Sequence, residues 1–168
     1  MLDRTHVAVR MAARIIKGAN GRANLVGGAL IDLIQNREPK DWDIEVFGLS
    51  YERIVEIFHS YHPKTVGRAF GVIKVTVGHV DLDLSVPRRD NKIGKGHTGF
   101  NVEFDPSMTI REAGKRRDFT INSMALDLTT GEIYDPFNGL ADLHAGILRA
   151  TDPKTFVEDP LRALRAMQ

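Results

Sequence analysis

Two carboxylates separated by one residue, Asp41 and Asp43, have the spacing in this sequence that points most directly to chemistry. The stretch 41–47 alternates between polar and apolar residues, which predicts a β-strand with both carboxylates on one face. Two like charges held this close stay ionised when a cation lies between them, and carboxylate oxygens suit Mg²⁺. On spacing alone, two solvated surface carboxylates are the commoner interpretation.

A third carboxylate, Asp83, lies on a later alternating segment, with Asp81 beside it on the same face. The Gly78-His79 turn predicts a hairpin of strands 71–77 and 80–86, and the second strand could lie next to the strand of Asp43. Three carboxylates on adjacent strands form a two-metal site suited to in-line phosphoryl transfer.

A glycine pair, Gly27-Gly28, separates a short apolar strand, 23–26, from a predicted helix, 29–35. Glycines let backbone amides approach phosphate oxygens, and a helix N-terminus adds positive potential. An ordinary turn is the simpler interpretation of two glycines alone.

The order of elements predicts an α+β domain, with a small mixed or antiparallel sheet packed with helices. The chain has 168 residues and a net charge of +1, so any nucleic-acid surface must be local. It contains no cysteine, which excludes disulfides and cysteine-ligated metals. Without an apolar membrane span or a secretion signal, the expected location is cytoplasmic and no membrane partner is expected.

Further motifs follow in the chain, and together they carry a resemblance to a known family. The stretches are Leu25-Val26-Gly27-Gly28-Ala29-Leu30-Ile31-Asp32, Lys40-Asp41-Trp42-Asp43, Arg116-Arg117-Asp118-Phe119-Thr120-Ile121-Asn122-Ser123, Asp135 to Leu143, and Glu158-Asp159-Pro160-Leu161-Arg162. In this order they resemble the polymerase-β superfamily, specifically the class II CCA-adding enzymes and the bacterial poly(A) polymerases. The resemblance implies a polymerase-β-type nucleotidyltransferase head over residues 1–138 and the start of an α-helical neck, apparently truncated, over residues 139–168.

The resemblance also implies an activity: template-independent addition of C and A, from CTP and ATP, to an RNA 3′ end, expected to be that of tRNA. The RNA hydroxyl would attack the α-phosphate, with two Mg²⁺ ions on the catalytic residues Asp41, Asp43 and Asp83. The expected nucleotide-binding residues are Gly27, Gly28, Arg116, Arg117, Asp118, Asn122, Asp159 and Arg162. Without the motif, a basic pair followed by Asp is more often a surface salt bridge.

Base selection follows from two side chains of the predicted C-terminal helix, 153–168. Asp159 and Arg162 are three residues apart, so both can face one ligand. A carboxylate accepts from an exocyclic amine and a guanidinium donates to a ring nitrogen, a pattern that cytosine and adenine share and that uracil and guanine reverse. On spacing alone, an intrahelical ion pair is the commoner interpretation, and the matched motif favours base recognition.

The segment 88–117 is locally basic, and residues 88–99 are predicted to form a mobile loop that meets RNA or triphosphate. Within it, the stretch 92–100 is similar to bacterial CCA-adding enzymes that carry a phosphohydrolase domain, which favours tRNA over poly(A) chemistry. The chain departs from the family at Ile31, where Arg is usual, at Ala113, where an acidic residue is common, and at Asp83, where Glu is frequent.

Two other functions remain open at this stage. Poly(A) polymerases share the head motifs, so these motifs do not separate poly(A) synthesis from CCA addition. A non-catalytic RNA-binding domain on a degenerate transferase fold is the alternative of another class, and Ile31 and Ala113 are its support.

Overall fold

The computed structural model describes residues 1–66, 71–92, 100–157 and 159–166. The described strands are β1 (Arg22–Val26), β2 (Trp42–Phe47), β3 (Lys64–Val66), β4 (Val72–Val77), β5 (Val80–Ser85), β6 (Arg88–Lys92), β7 (Phe100–Phe104), β8 (Ala125–Asp127) and β9 (Ile133–Tyr134). The described helices are α1 (Val7–Gly18), α2 (Gly27–Ile34), α3 (Tyr51–Ile57), α4 (Ile110–Lys115), α5 (Gly139–Ala145), α6 (Pro153–Phe156) and α7 (Leu161–Arg165). Three-residue and four-residue 3₁₀ turns occur at Leu2–Arg4, His59–Tyr61 and Thr120–Ser123.

Within the described ranges, seven strands form one sheet in the order β3-β4-β5-β2-β1-β8-β9. The pairing of β2 with β5 is parallel, and the other neighbours in this sheet are antiparallel. Helices pack on the sheet, so the predicted α+β class with a mixed, mostly antiparallel sheet is confirmed. The predicted hairpin of β4 and β5 is also present, with Val77 opposite Val80 at its turn.

The centre of the sheet is buried because the strands carry apolar residues where the helices cover them. On β1, Leu25 is fully buried, and its register partner Ile44 on β2 is fully buried too. Helix α1 buries one face against this layer, with Val9 and Ile16 at no exposure. Each such side chain contributes about 1.5–3 kcal/mol to folding. This rigid core fixes the position of β2, which carries the carboxylates.

The predicted loop at 88–99 is wrong over its first residues, because Arg88–Lys92 form strand β6. This strand pairs antiparallel with β7, and Arg89 lies opposite Glu103. A run of polar residues shows no apolar alternation, so its pattern alone does not predict a strand. The strand forms because its backbone hydrogen-bonds to β7. Residues 93–99, which hold most of the stretch that favours tRNA chemistry, lie outside the described residues.

The C-terminal part folds back onto the turn Thr120–Ser123. The buried carboxylate of Asp142 in α5 accepts a hydrogen bond from Thr120 Oγ1 at 2.7 Å and pairs with Arg149. Residues 153–166 form two short helices, α6 and α7, rather than the single long helix that the spacing predicts. Glu158, 167 and 168 lie outside the described residues. The division into a head at 1–138 and a neck from 139 stays a prediction.

Candidate active site

The register of the sheet brings two of the three predicted carboxylates together. Strand β5 pairs in parallel with β2, and Asp83 is the register partner of Asp43. Residues opposite each other on neighbouring strands point to the same face, so both carboxylates project on one side. Asp41 lies one residue before β2 begins and is exposed. The structure therefore gives a facing pair with a third carboxylate at its edge.

The electrostatics of this pair show mutual repulsion. Burial, followed by the charges of Asp83 and Asp41, raises the pKa of Asp43, and the nearby Arg117 opposes this shift. Lys74 on β4 places its Nζ 2.8 Å from both carboxylate oxygens of Asp83, and this hydrogen bond raises the pKa of the lysine. Across the described ranges, no three acidic, histidine or cysteine side chains are gathered into a ready metal-binding cluster.

The carboxylate pair nevertheless has the chemistry of a site for a divalent cation. Its donors are carboxylate oxygens, which are the ligands that hard divalent ions prefer. A cation between Asp43 and Asp83 would offset the burial and repulsion that raise the pKa of Asp43. The residues present therefore fit such an ion.

The glycine pair lies at the start of α2, directly beside the carboxylates. Gly27 has a φ of +67°, and a Cβ built there would lie 3.4 Å from Oδ2 of Asp43. A Cβ at Gly28 would meet no atom within 4 Å. The backbone thus passes close to the carboxylates at Gly27, which needs a left-handed conformation, and stays open to a ligand at Gly28.

Two consecutive arginines are held at the same site by one buried carboxylate. Glu45, which is 2% exposed, lies two residues after Asp43 on β2. Its Oε1 lies 3.1 Å from Nη2 of Arg116, and its Oε2 lies 3.3 Å from Nη2 of Arg117. The arginine side chains are 23% and 17% exposed. They form a mostly buried cluster rather than the surface salt bridge that the basic pair alone indicates.

Asp118 and Asn122 form a local network beside these arginines. Oδ1 of Asp118 accepts hydrogen bonds of 2.9 Å from Nδ2 of Asn122 and from the backbone N–H of Phe119. Nε of Arg165 donates to its Oδ2 at 2.8 Å. Burial acts to raise the pKa of Asp118, but these hydrogen bonds outweigh it and hold the pKa below its usual range. Asp118 is therefore ionised and fixed in place.

The predicted base-reading residues lie near each other, but their described contacts are with other groups. Oδ1 of Asp159 accepts from the backbone N–H of Leu161, and its Oδ2 lies 3.6 Å from Nη2 of Arg165. Arg162 donates from Nη2 to the backbone carbonyl of Arg116 at 2.9 Å. Nη1 of Arg162 is buried and has no hydrogen-bond partner among the described residues. The contacts thus anchor Arg162 to the neighbouring arginine motif.

Two adjoining cavities collect these groups. The larger, of about 400 Å³, is lined by Gly27, Gly28, Arg88, Arg116, Arg117, Asp118, Asn122, Asp159, Arg162 and Arg165. The smaller, of about 270 Å³, includes Asp43 and Asp83 together with the same Arg88, Arg116 and Arg117. The shared arginines join a cavity with the carboxylates to a cavity with the glycines and the predicted base-reading residues. Asp41 lines neither cavity.

Sequence reasoning missed three side chains that belong to this arrangement. Glu45 holds the arginine pair, Arg165 bridges Asp118 and Asp159, and Lys74 pairs with Asp83. Glu45 shares the strand face of Asp43, which was a usable signal for its place in the site. The partners of Arg165 and Lys74 depend on tertiary packing.

Two of the three departures from the family motifs, Ile31 and Ala113, are accommodated by apolar packing. Ile31 is partly buried and packs against the hydrophobic core of the domain. Ala113 is fully buried in a small cluster with Phe47 and Met108. Neither residue lines the cavities described above.

Comparison with known proteins decides the family. The sequence pattern of the family described as Poly A polymerase head domain matches residues 23–149. The chain belongs to this family. Nucleotidyltransferases of the family generally use divalent metal ions.

Individual relatives agree with this assignment. The chain is 42% identical over 142 residues to a multifunctional CCA protein of Xanthomonas euvesicatoria, covering 84% of this chain and 33% of that protein. It is similar to the Bacillus stearothermophilus CCA-adding enzyme in complex with CTP, with a TM-score of 0.78, 31% identity and coverage of 96% of this chain and 38% of that one. A tRNA nucleotidyltransferase complexed with a primer tRNA and an incoming ATP analog gives a TM-score of 0.73 at 30% identity, covering 94% of this chain and 43% of that chain.

The match is confined to one part of these relatives. The chain spans about a third of the length of the curated relative, at 33%.

Among the described residues, no helix combines the length and the apolar character that a membrane span requires.

Proposed function

We propose that the protein is a template-independent RNA nucleotidyltransferase that adds C and A to the 3′ end of tRNA from CTP and ATP. The observation that carries this proposal is that Arg116 and Arg117 line two adjoining cavities at once. One cavity contains Asp43 and Asp83, and the other contains the predicted base-reading residues. A nucleoside triphosphate needs both ends recognised at once, since its α-phosphate reacts while its base is selected. The name of the Xanthomonas relative and the ligands of the two solved relatives support CCA addition.

The metal is proposed to be Mg²⁺, as two ions, with Asp41, Asp43 and Asp83 as the residues that would hold them. When bound, the ions would lower the pKa of the attacking hydroxyl and offset the charge of the leaving pyrophosphate. The facing pair of carboxylates supports this assignment because a cation relieves their repulsion.

The other residues would bind and orient the nucleotide. The open backbone at Gly28 and the N-terminus of α2 would take phosphate oxygens, and Arg116 and Arg117 would neutralise the triphosphate. Asp118, ionised and fixed by its hydrogen bonds, would accept from ribose hydroxyls, with Asn122 beside it. Positioning of this kind supplies much of the rate in phosphoryl transfer, because the reaction needs little covalent help from the protein.

Base selection is proposed for Asp159 and Arg162. Both line the larger cavity, and Nη1 of Arg162 has no described hydrogen-bond partner. Because this nitrogen is buried, the guanidinium must shift towards the cavity before Nη1 can donate to a base. For Asp159 to accept from an exocyclic amine, its second oxygen must leave the 3.6 Å contact with Arg165 or share it.

The cytoplasmic location stays a prediction.

The test of this function uses the full-length protein with Mg²⁺, tRNA lacking its 3′ end, and each labelled nucleotide. Ordered incorporation of C, C and A supports the proposal. A long ladder of A identifies the alternative, a poly(A) polymerase, which the name of the matching family favours. Absence of any incorporation identifies a non-catalytic RNA-binding domain. Omitting CTP is the control, because a CCA-adding enzyme given this tRNA and ATP alone stalls, whereas poly(A) synthesis continues.

A further inference from the structure

Glu45 is a buried charge for which the proposed transfer reaction has no direct use. It is 2% exposed and lies on the same strand face as Asp43, two residues further along β2. Its two oxygens pair with different guanidinium groups, those of Arg116 and Arg117, more than 70 residues later in the chain. Burying a carboxylate in this way is costly, and apolar residues of similar volume commonly give equal stability. The arrangement therefore calls for a role other than stability.

The surroundings of Glu45 indicate that its carboxylate interacts with the two arginines rather than with other neighbours. Its register partner on β1 is Asn24, which is fully buried and whose amide has no hydrogen-bond partner among the described residues. The carboxylate is thus matched by the two arginines and not by this neighbour. Both arginine side chains stay partly exposed and line both cavities.

We propose that Glu45 is a positioning residue that holds the guanidinium groups of Arg116 and Arg117 at the junction of the two cavities, ready to receive a triphosphate. This inference rests on the proposed function and extends it to a residue outside the matched motifs. Each carboxylate oxygen takes one guanidinium, so a single side chain orients two long ones. Their ordering then precedes nucleotide binding and does not weaken it.

Positioning and simple electrostatics predict opposite outcomes when the charge of Glu45 is removed. The carboxylate reduces the net charge of the three-residue cluster from +2 to +1, so on electrostatics alone its loss would tighten the binding of an anion. If Glu45 acts by positioning, its loss weakens binding, because the carboxamide of Glu45→Gln can accept from one arginine while its NH₂ group faces the other.

The experiment measures the affinity of the full-length protein for CTP and for inorganic triphosphate by isothermal titration calorimetry. Glu45→Gln should weaken binding of both probes about tenfold or more. Glu45→Asp keeps the charge but is one methylene shorter, so its affinity should fall between those of the wild type and Glu45→Gln. This second variant also serves if Glu45→Gln fails to fold, as thermal unfolding would reveal. An unchanged or increased affinity for triphosphate in the folded variant overturns the proposal.

A matched control separates positioning from a general loss of a buried ion pair. Asp142→Asn removes another buried carboxylate, one that pairs with Arg149 away from both cavities. It should lower thermal stability and leave the affinity for CTP and triphosphate unchanged. An equal loss of affinity in Asp142→Asn would mean that any weakened fold impairs binding, and the positioning role would be rejected.

Removal of the arginines completes the test. In a protein already carrying Arg116→Ala and Arg117→Ala, adding Glu45→Gln should cause no further loss of affinity, because nothing remains to be positioned. A full tenfold loss in this background shows that Glu45 acts by another route and overturns the proposal. Failure of the proposed function can be distinguished from failure of this inference. If the wild type binds triphosphate but does not add C and A, only the proposed function is refuted. If it binds neither CTP nor triphosphate, both the function and the positioning role are refuted.

Discussion

The substitution Gly28→Ala separates a phosphate-binding backbone from an ordinary turn. A Cβ at this position meets no atom within 4 Å, and the residue lies in the first turn of α2 without a positive φ. Alanine should therefore stabilise the free protein by about 0.5–1 kcal/mol, since it removes the excess backbone entropy of glycine. The same methyl group would occupy the open face that lines the larger cavity, where triphosphate oxygens are expected to approach.

Nucleotide binding should consequently weaken while the fold becomes more stable. Loss of one hydrogen bond from a backbone N–H to a charged oxygen corresponds to about 1.5–3 kcal/mol, or roughly tenfold to a hundredfold in affinity. Calorimetric titration with CTP and thermal unfolding would be run on the same samples.

The matched control is Gly18→Ala, at the end of α1, where a Cβ likewise meets no atom within 4 Å. It should give a similar gain in stability with no change in CTP affinity. If Gly28→Ala binds CTP within about threefold of the Gly18→Ala protein, a difference of roughly 0.6 kcal/mol, the glycine pair is only a turn and the phosphate assignment is refuted.

Three further predictions concern the rest of the site and the fold. Asp43→Asn should abolish transfer yet raise the free energy of unfolding of the metal-free protein at neutral pH by about 1 kcal/mol, because burial and a neighbouring carboxylate raise the pKa of Asp43. A carboxyl whose pKa is raised on folding stabilises the folded state more as the pH falls towards that pKa, so urea unfolding in EDTA should show that mild acidification stabilises the wild type but not the Asn variant. The control is Asp81→Asn, which should retain transfer. If the free energy of unfolding changes equally with pH in the wild type and in Asp43→Asn, the assignment is contradicted. Asp159→Ala or Arg162→Ala should reduce discrimination against U and G about tenfold to a hundredfold in competition assays with mixed nucleotides, whereas lost activity with unchanged base ratios would mark a structural pair. Gly139→Ala should destabilise the fold by about 1–3 kcal/mol, since its Cβ would fall on a backbone carbonyl oxygen; a melting temperature equal to that of the wild type would show that the turn can move.

The carboxylate site illustrates how far a local pattern carries. Alternation along 41–47 and 80–86 predicted the two strands and the common face of their acidic residues, because side chains on a strand alternate with a period of two. It did not fix which strands are neighbours. The parallel pairing of β2 with β5, which sets Asp43 opposite Asp83, requires the chain to cross through α3, β3 and β4 first.

The errors have the same origin. Arg88–Lys92 form a strand because β7 provides hydrogen-bond partners for their backbone. The polar sequence of this run does not predict that pairing. Likewise, the residues after Pro153 have helical spacing, but they form two short helices, and the second contacts Asp118 through Arg165. Propensity acts over a few residues, and a neighbouring element can override it.

Local chemistry was therefore readable from the sequence, and the partnerships were not. The strand faces, the glycine break and the α+β class follow from residue type and spacing, because turns and alternation are short-range properties. The nucleotide-binding residues were predicted from the resemblance of their motifs to a known family. The pairing of Glu45 with Arg116 and Arg117, and of Arg165 with Asp118, joins residues 47 to 72 positions apart. Only the order and register of the strands bring such residues within hydrogen-bonding distance, since a buried charge is matched by whichever groups the fold places beside it.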